Sequence, residues 1–176
     1  MKTPPYGWGF LLQDGFMEDL KQHEKFMRMA IRLSEENVRK ALGGPFGAVI
    51  VKEGKLIAKS ANRVTTDIDP TAHAEISAIR LAAKKLKTFD LSDCVIYTSC
   101  EPCPMCLGAI YWSRIAAVYY ANTQHDACEV GFDDKFIYEE LELAHEDRSI
   151  PFIQLLRDEA NEAFKKWEVS EFKIDY

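Results

Sequence analysis

Two short stretches carry side chains able to do chemistry at spacings that let them meet: His73-Ala74-Glu75 and Pro102-Cys103-Pro104-Met105-Cys106. A Cys-x-x-Cys pair at a helix start can aim both sulfurs at one ion. The partial positive charge of the helix N-terminus favours thiolate over thiol there. His73, at the start of a neighbouring helix, supplies a third ligand. Thiolates with imidazole suit zinc. Three protein ligands leave a fourth place open to solvent, which is the arrangement of a catalytic zinc site. Glu75 lies two positions after His73. In mid-helix such residues point to different sides, but at a helix end both reach a point near the axis. Glu75 can then take a proton from water beside the metal without ligating it, the work of a general base.

A structural reading competes. Cys100 stands at the same spacing before Cys103, so Cys100, Cys103, Cys106 and His73 could close a four-ligand structural zinc site. Cys100 ends a predicted strand and is expected to point elsewhere, and a closed site gives Glu75 no task. The catalytic reading therefore outweighs it. An iron–sulfur run needs a further Cys followed by Pro, where this chain has Ile110-Tyr111.

These groups need a scaffold. Phe26, Met29, Ala30 and Leu33 recur at three- and four-residue steps, which predicts a helix over Glu18 to Leu42, stopped by Gly43-Gly44-Pro45. Phe46 to Val51 and Leu56 to Arg63 read as strands of a hairpin around Glu53-Gly54-Lys55. A helix follows, capped near Thr71 and running to Leu86, with the Lys84-Lys85-Leu86-Lys87 stretch as its solvated end. Cys94 to Ser99 reads as a buried strand, Pro104 to Arg114 as a helix with proline in its first turn, and Ala116 to Ala121 as a strand. Asp134 to Leu143 is helical by the same reasoning, Ile150 to Leu156 is a strand, and Asp158 to Trp167 is an amphipathic helix. Trp112, on an apolar helix face, is expected in the core or at a dimer interface, and His125 and His145 at the surface. The alternation argues for α/β architecture with helices on both faces of a central sheet, and the unit from Cys94 to Ala121 for locally parallel strands.

Composition narrows the classes. The chain has 176 residues, of which 47% are hydrophobic and 28% charged, ordinary proportions for a globular domain with its own core. Lys plus Arg is 22 against 28 for Asp plus Glu, a net charge of −6. A nucleic-acid binder normally shows a basic surplus, so no nucleic-acid partner is expected. No apolar run approaches the ~18 residues of a membrane span, and the N-terminus lacks the pattern of a secretory signal. A cytoplasmic location is expected. There the clustering of three of the five cysteines points to metal or catalysis rather than disulfides. Residues 1–20 read as an N-terminal extension and 21–176 as a single catalytic domain.

His-x-Glu followed by Pro-Cys-x-x-Cys is the signature of zinc nucleobase deaminases. At these residues the chain resembles the cytidine deaminase-like superfamily, and more narrowly the small bacterial guanine deaminases. The resemblance runs from about Phe26 to Tyr176. Gly43 to Lys52, Asn62 to Thr66, Asp69 to Glu75, Tyr97 to Trp112 and Gly131 to Tyr138 carry it, and the Gly-Phe-Asp-Asp segment and terminal Tyr176 narrow it to guanine. It implies a three-layer α/β/α fold with a central mixed sheet. It implies one zinc per subunit, held by His73, Cys103 and Cys106, and hydrolysis of guanine to xanthine and ammonia with Glu75 as proton shuttle. It also implies purine contacts from Asn62 and the backbone of Ala74, stacking by Phe46, and reading or covering of the base by Asp134 and Tyr176. Family members are homodimers whose C-terminal segments can cross to the partner, so Tyr176 would complete the other subunit's pocket. Relatives acting on guanosine share most of the pattern, so base and nucleoside both stay open. A tRNA adenosine deaminase or a cytosine deaminase would share only the zinc motif. Without the resemblance, Asn62 reads as a turn residue, Phe46 as a core aromatic and Asp134 as a helix N-cap.

Overall fold

The structure, a computed structural model, describes residues 14–174, with side chains placed from Leu20 onward. Tyr176 and most of the expected extension lie outside the described residues. Helix α1 (Asp14–Arg39) precedes a hairpin of β1 (Gly47–Lys52) and β2 (Lys55–Ala61). The short α2 (Val64–Asp67) leads to α3 (Ala74–Leu86), β3 (Cys94–Cys100), α4 (Pro104–Trp112) and β4 (Ala117–Asn122). Three helices follow: α5 (Gln124–Glu129), α6 (Lys135–Glu142) and α7 (Arg157–Glu168). The strand order is β2-β1-β3-β4. β1 pairs antiparallel with β2 and β3, and β3 pairs parallel with β4. The sheet is therefore mixed, and the parallel step falls across the α4 crossover, as the sequence suggested.

Period-two alternation splits the core into two layers. Ala48 and Ile50 of β1 and Ile96 of β3 face Ala74, Ala78 and Ala82 of α3 and Ile110 of α4. Val49, Val51 and Tyr97 point the other way, against Phe26 and Ala30 of α1. Small residues on α3 let it sit close to the sheet. On the opposite face α1 comes closest at Gly47, where an added Cβ would lie 2.3 Å from the Ala30 carbonyl oxygen and 2.8 Å from Leu33 Cβ.

α1 ends earlier than its apolar stripe implied. Ala41 adopts a left-handed backbone with φ 51°, and its N–H bonds to the Val38 carbonyl while that of Leu42 reaches Asn37. That pair of bonds is a Schellman termination. α3 starts at Ala74 with His73 as its N-cap residue, rather than at Thr71. Thr71 is tied instead to Asp69, whose carboxylate accepts from its N–H at 2.8 Å and its hydroxyl at 2.7 Å. Helix α5 was not foreseen. Its signal is Thr123-x-x-Asp126, a reciprocal capping box.

One expectation fails outright and another is narrowed. Ile150 to Leu156 forms no strand and lies exposed without regular structure. A strand needs a ladder partner, and among the described residues none pairs with this segment. Trp112 is 71% exposed, so of the two places expected for it the core is excluded; the buried side of α4 is set by Cys106 and Ile110.

Candidate active site

His73 and Cys103 each stand at the N-cap of a helix, α3 and α4, with extended backbone conformations. Pro104 fits the first turn of α4, where its missing N–H costs nothing. Cys106, one turn in, is fully buried. This places His73 Nδ1 3.5 Å from Cys103 Sγ and 3.5 Å from Cys106 Sγ. All three donor atoms lie within 4.8 Å of one another. A tetrahedral zinc with Zn–S of about 2.3 Å and Zn–N of about 2.0–2.1 Å separates nitrogen from sulfur by about 3.5–3.6 Å. The donor types and their spacing both fit zinc.

Electrostatics agree with a preformed site. A hydrogen bond from Cys106 holds the Cys103 thiol well below its usual range, down to about 4, with help from His73. Cys106, the buried donor of that pair, is raised. The hydrogen bond to Cys103 also raises His73. Cys100 stands apart. It ends β3, its Sγ donates to the Thr123 carbonyl at 3.5 Å, and burial pushes its thiol up to about 11. The closed four-ligand arrangement is therefore not formed.

Glu75, in the first turn of α3, is 4% exposed, and burial raises its carboxyl above the usual range. It lines the same cavity of about 430 Å³ as His73 and Cys103, a size usual for a small-molecule site. Phe46 and Phe132 meet edge to face on its wall, with ring centroids 4.8 Å apart. Phe46 also packs against the core, as its reading as a core aromatic expected.

Asn62 is buried, and its Oδ1 accepts from the N–H groups of Gly44 at 3.4 Å and Val64 at 3.3 Å. The oxygen thus does the work of a turn residue. The amide nitrogen takes no part in those bonds, and Asn62 lines the cavity. Ala74 is buried as the first residue of α3, where helix geometry leaves the N–H without an intrahelical acceptor. Asp134 occupies the N-cap position of α6 but makes no side-chain capping bond. Its carboxyl lines the cavity instead, with Oδ1 buried and without a partner. Burial raises this carboxyl, opposed by a hydrogen bond with the Gln124 side chain. Asp133, its neighbour, takes the local duty by accepting from the Lys135 N–H.

Sequence reasoning missed Gln124 and Glu101, which also line the cavity, and Thr98, which touches Glu75. Glu101 holds the start of α5 by accepting from the Gln124 N–H at 3.1 Å. Its place beside Pro102-Cys103 was the available signal. Thr98 lay hidden inside an apolar strand.

With the trio and its buried carboxylate in place, the family follows. Residues 20–122 match the cytidine and deoxycytidylate deaminase zinc-binding region. The chain belongs to this deaminase family. It is 54% identical over 154 residues to the guanine deaminase of Bacillus subtilis, covering 88% of this chain and 99% of that protein. The crystal structure of that enzyme superposes with a TM-score of 0.85 over 88% of this chain and 98% of its own. A guanine deaminase structure from Nitrosomonas europaea is 39% identical, with a TM-score of 0.59 over 62% of this chain and 63% of that one. The tRNA-specific adenosine deaminase of Aquifex aeolicus is 43% identical over 98 residues, covering 56% of this chain and 64% of that protein.

Proposed function

We propose that the chain is a zinc-dependent guanine deaminase that hydrolyses guanine to xanthine and ammonia. The observation that carries this reading is a buried Glu75 carboxyl beside the His73–Cys103–Cys106 trio in one aromatic-walled cavity. Near full-length identity of 54% to a guanine deaminase supports the choice of base.

Zinc bound at the trio supplies Lewis-acid activation of water. Glu75 takes a proton from the attacking water and delivers it to a ring nitrogen. It then passes a second proton to the departing amine, so one carboxylate acts as base and then acid. A C–O bond forms and the C–N bond breaks at the same carbon. Phe46 stacks on the purine, and the Asn62 amide nitrogen and Ala74 N–H donate to it. Asp134 accepts from the N–H groups of the base edge with its unpartnered oxygen.

The active unit in this reading is a cytoplasmic homodimer with one zinc per subunit and exchanged C-terminal segments. The apolar, exposed stretch from Ile150 to Leu156 supports exchange, and Tyr176 would then cover the partner's pocket. The catalytic domain spans 21–176, with residues 1–20 as an extension. No helix among the described residues is long and apolar enough to cross a membrane.

The test is ammonia release from guanine, guanosine, adenine, cytosine and cytidine, with and without a chelator. Release from guanine that stops on chelation is expected. Preference for any other substrate, or activity indifferent to chelation, overturns the reading.

A further inference from the structure

Thr98 is 1% exposed and sits on β3, which is bonded on both sides, its own residue opposite Ala48 of β1 and Tyr120 of β4. Its backbone is therefore held from both sides. Its Oγ1 lies 3.2 Å from Glu75 Oε1 and 2.9 Å from the Cys100 carbonyl oxygen. A hydroxyl owns one hydrogen and can also accept. Two acceptors therefore stand within reach of a single proton on a buried hydroxyl.

We propose that Thr98 is a positioning residue for the shuttle: its buried hydroxyl, anchored at the Cys100 carbonyl, also donates to Glu75 Oε1 and so holds the carboxyl in one orientation beside the cavity. The contact leaves the second carboxyl oxygen to the proton transfer, and Thr98 itself gains and loses no proton. A valine has the same shape and cannot donate. A serine keeps the hydroxyl and loses only a methyl group. This rests on the deaminase reading and assigns the residue that aims its acid–base group.

The experiment compares wild type, Thr98→Val and Thr98→Ser for guanine kcat, KM and zinc content. Loss of one hydrogen bond to a charged group predicts a fall in kcat of about tenfold or more for T98V. KM should stay within about twofold of wild type, the signature of an interaction that matters in the chemical step. Zinc content should be unchanged, and T98S should recover most of the rate. A T98V enzyme as fast as wild type overturns the proposal, as does a T98S enzyme as slow as T98V. Zinc loss in T98V also overturns it, because residue 98 would then serve metal-site packing. Inactivity of the wild type on every base refutes the deaminase reading itself, a result separate from all of these.

Discussion

A carboxyl that must both take and return a proton works best when its affinity for the proton is raised toward neutrality. Burial does this for Glu75. Glu75→Gln keeps shape and packing but cannot accept a proton, so zinc should stay at one per subunit while turnover disappears; metal analysis with an ammonia assay checks both. Cys103→Ala removes a ligand, and zinc and activity should fall together. The cysteines also differ in reactivity. Burial is the main force that pushes Cys94 and Cys100 up to about 11, so below that pH they remain thiols and react slowly, whereas Cys128 is exposed. A thiol titration of the zinc-loaded protein at pH 7 should find one fast group. Chelation should raise the count to two by freeing Cys103, since Cys106 is fully buried with its thiol raised. Five fast thiols in the folded zinc form would contradict the burial described here.

At the scale of elements, the close approach of α1 to β1 depends on Gly47. Gly47→Ala forces a methyl group against the Ala30 carbonyl and Leu33. Overpacking of this kind costs about 1–3 kcal/mol, so the midpoint of urea unfolding should fall. The strain lies on the face opposite α3, so activity in the folded fraction should persist. Apart from the short α2, the helices and strands of the first 122 residues were legible because each obeys a local period: apolar steps of three and four in α1, and alternation or short apolar runs in the strands. The ligand helices announced themselves through Pro104 and the His73 motif. The end of α1 was misplaced because the Schellman turn at Ala41 uses backbone bonds that any residue can make. The strand expected at Ile150 to Leu156 has suitable residues and no neighbour within the described chain to pair with.

At the scale of the molecule, that unpaired segment and the exposed Phe164, Trp167 and Phe172 leave the C-terminal third with much uncovered apolar surface. Exchange between two copies would cover it. Sedimentation should therefore give about twice the chain mass of 20.1 kDa. A chain ended at Leu143 should lose activity, since it lacks Tyr176, and mixing it with full-length Glu75→Gln should restore some turnover if segments cross between subunits. A monomer with full activity would refute the exchange. The charge of −6 belongs to this scale too: it disfavours a polyanionic substrate, in keeping with a free base.

The sequence by itself singled out the candidate ligands His73, Cys103 and Cys106, Glu75 beside His73 and the α/β alternation, because each is written in a short local motif or period. Only the tertiary structure decided that Cys100 turns to the Thr123 carbonyl, that Asp134 faces the cavity while Asp133 serves its helix, and that Thr98 touches Glu75. These depend on segments distant in the chain being brought together, and on which of several polar groups finds its partner once water is excluded.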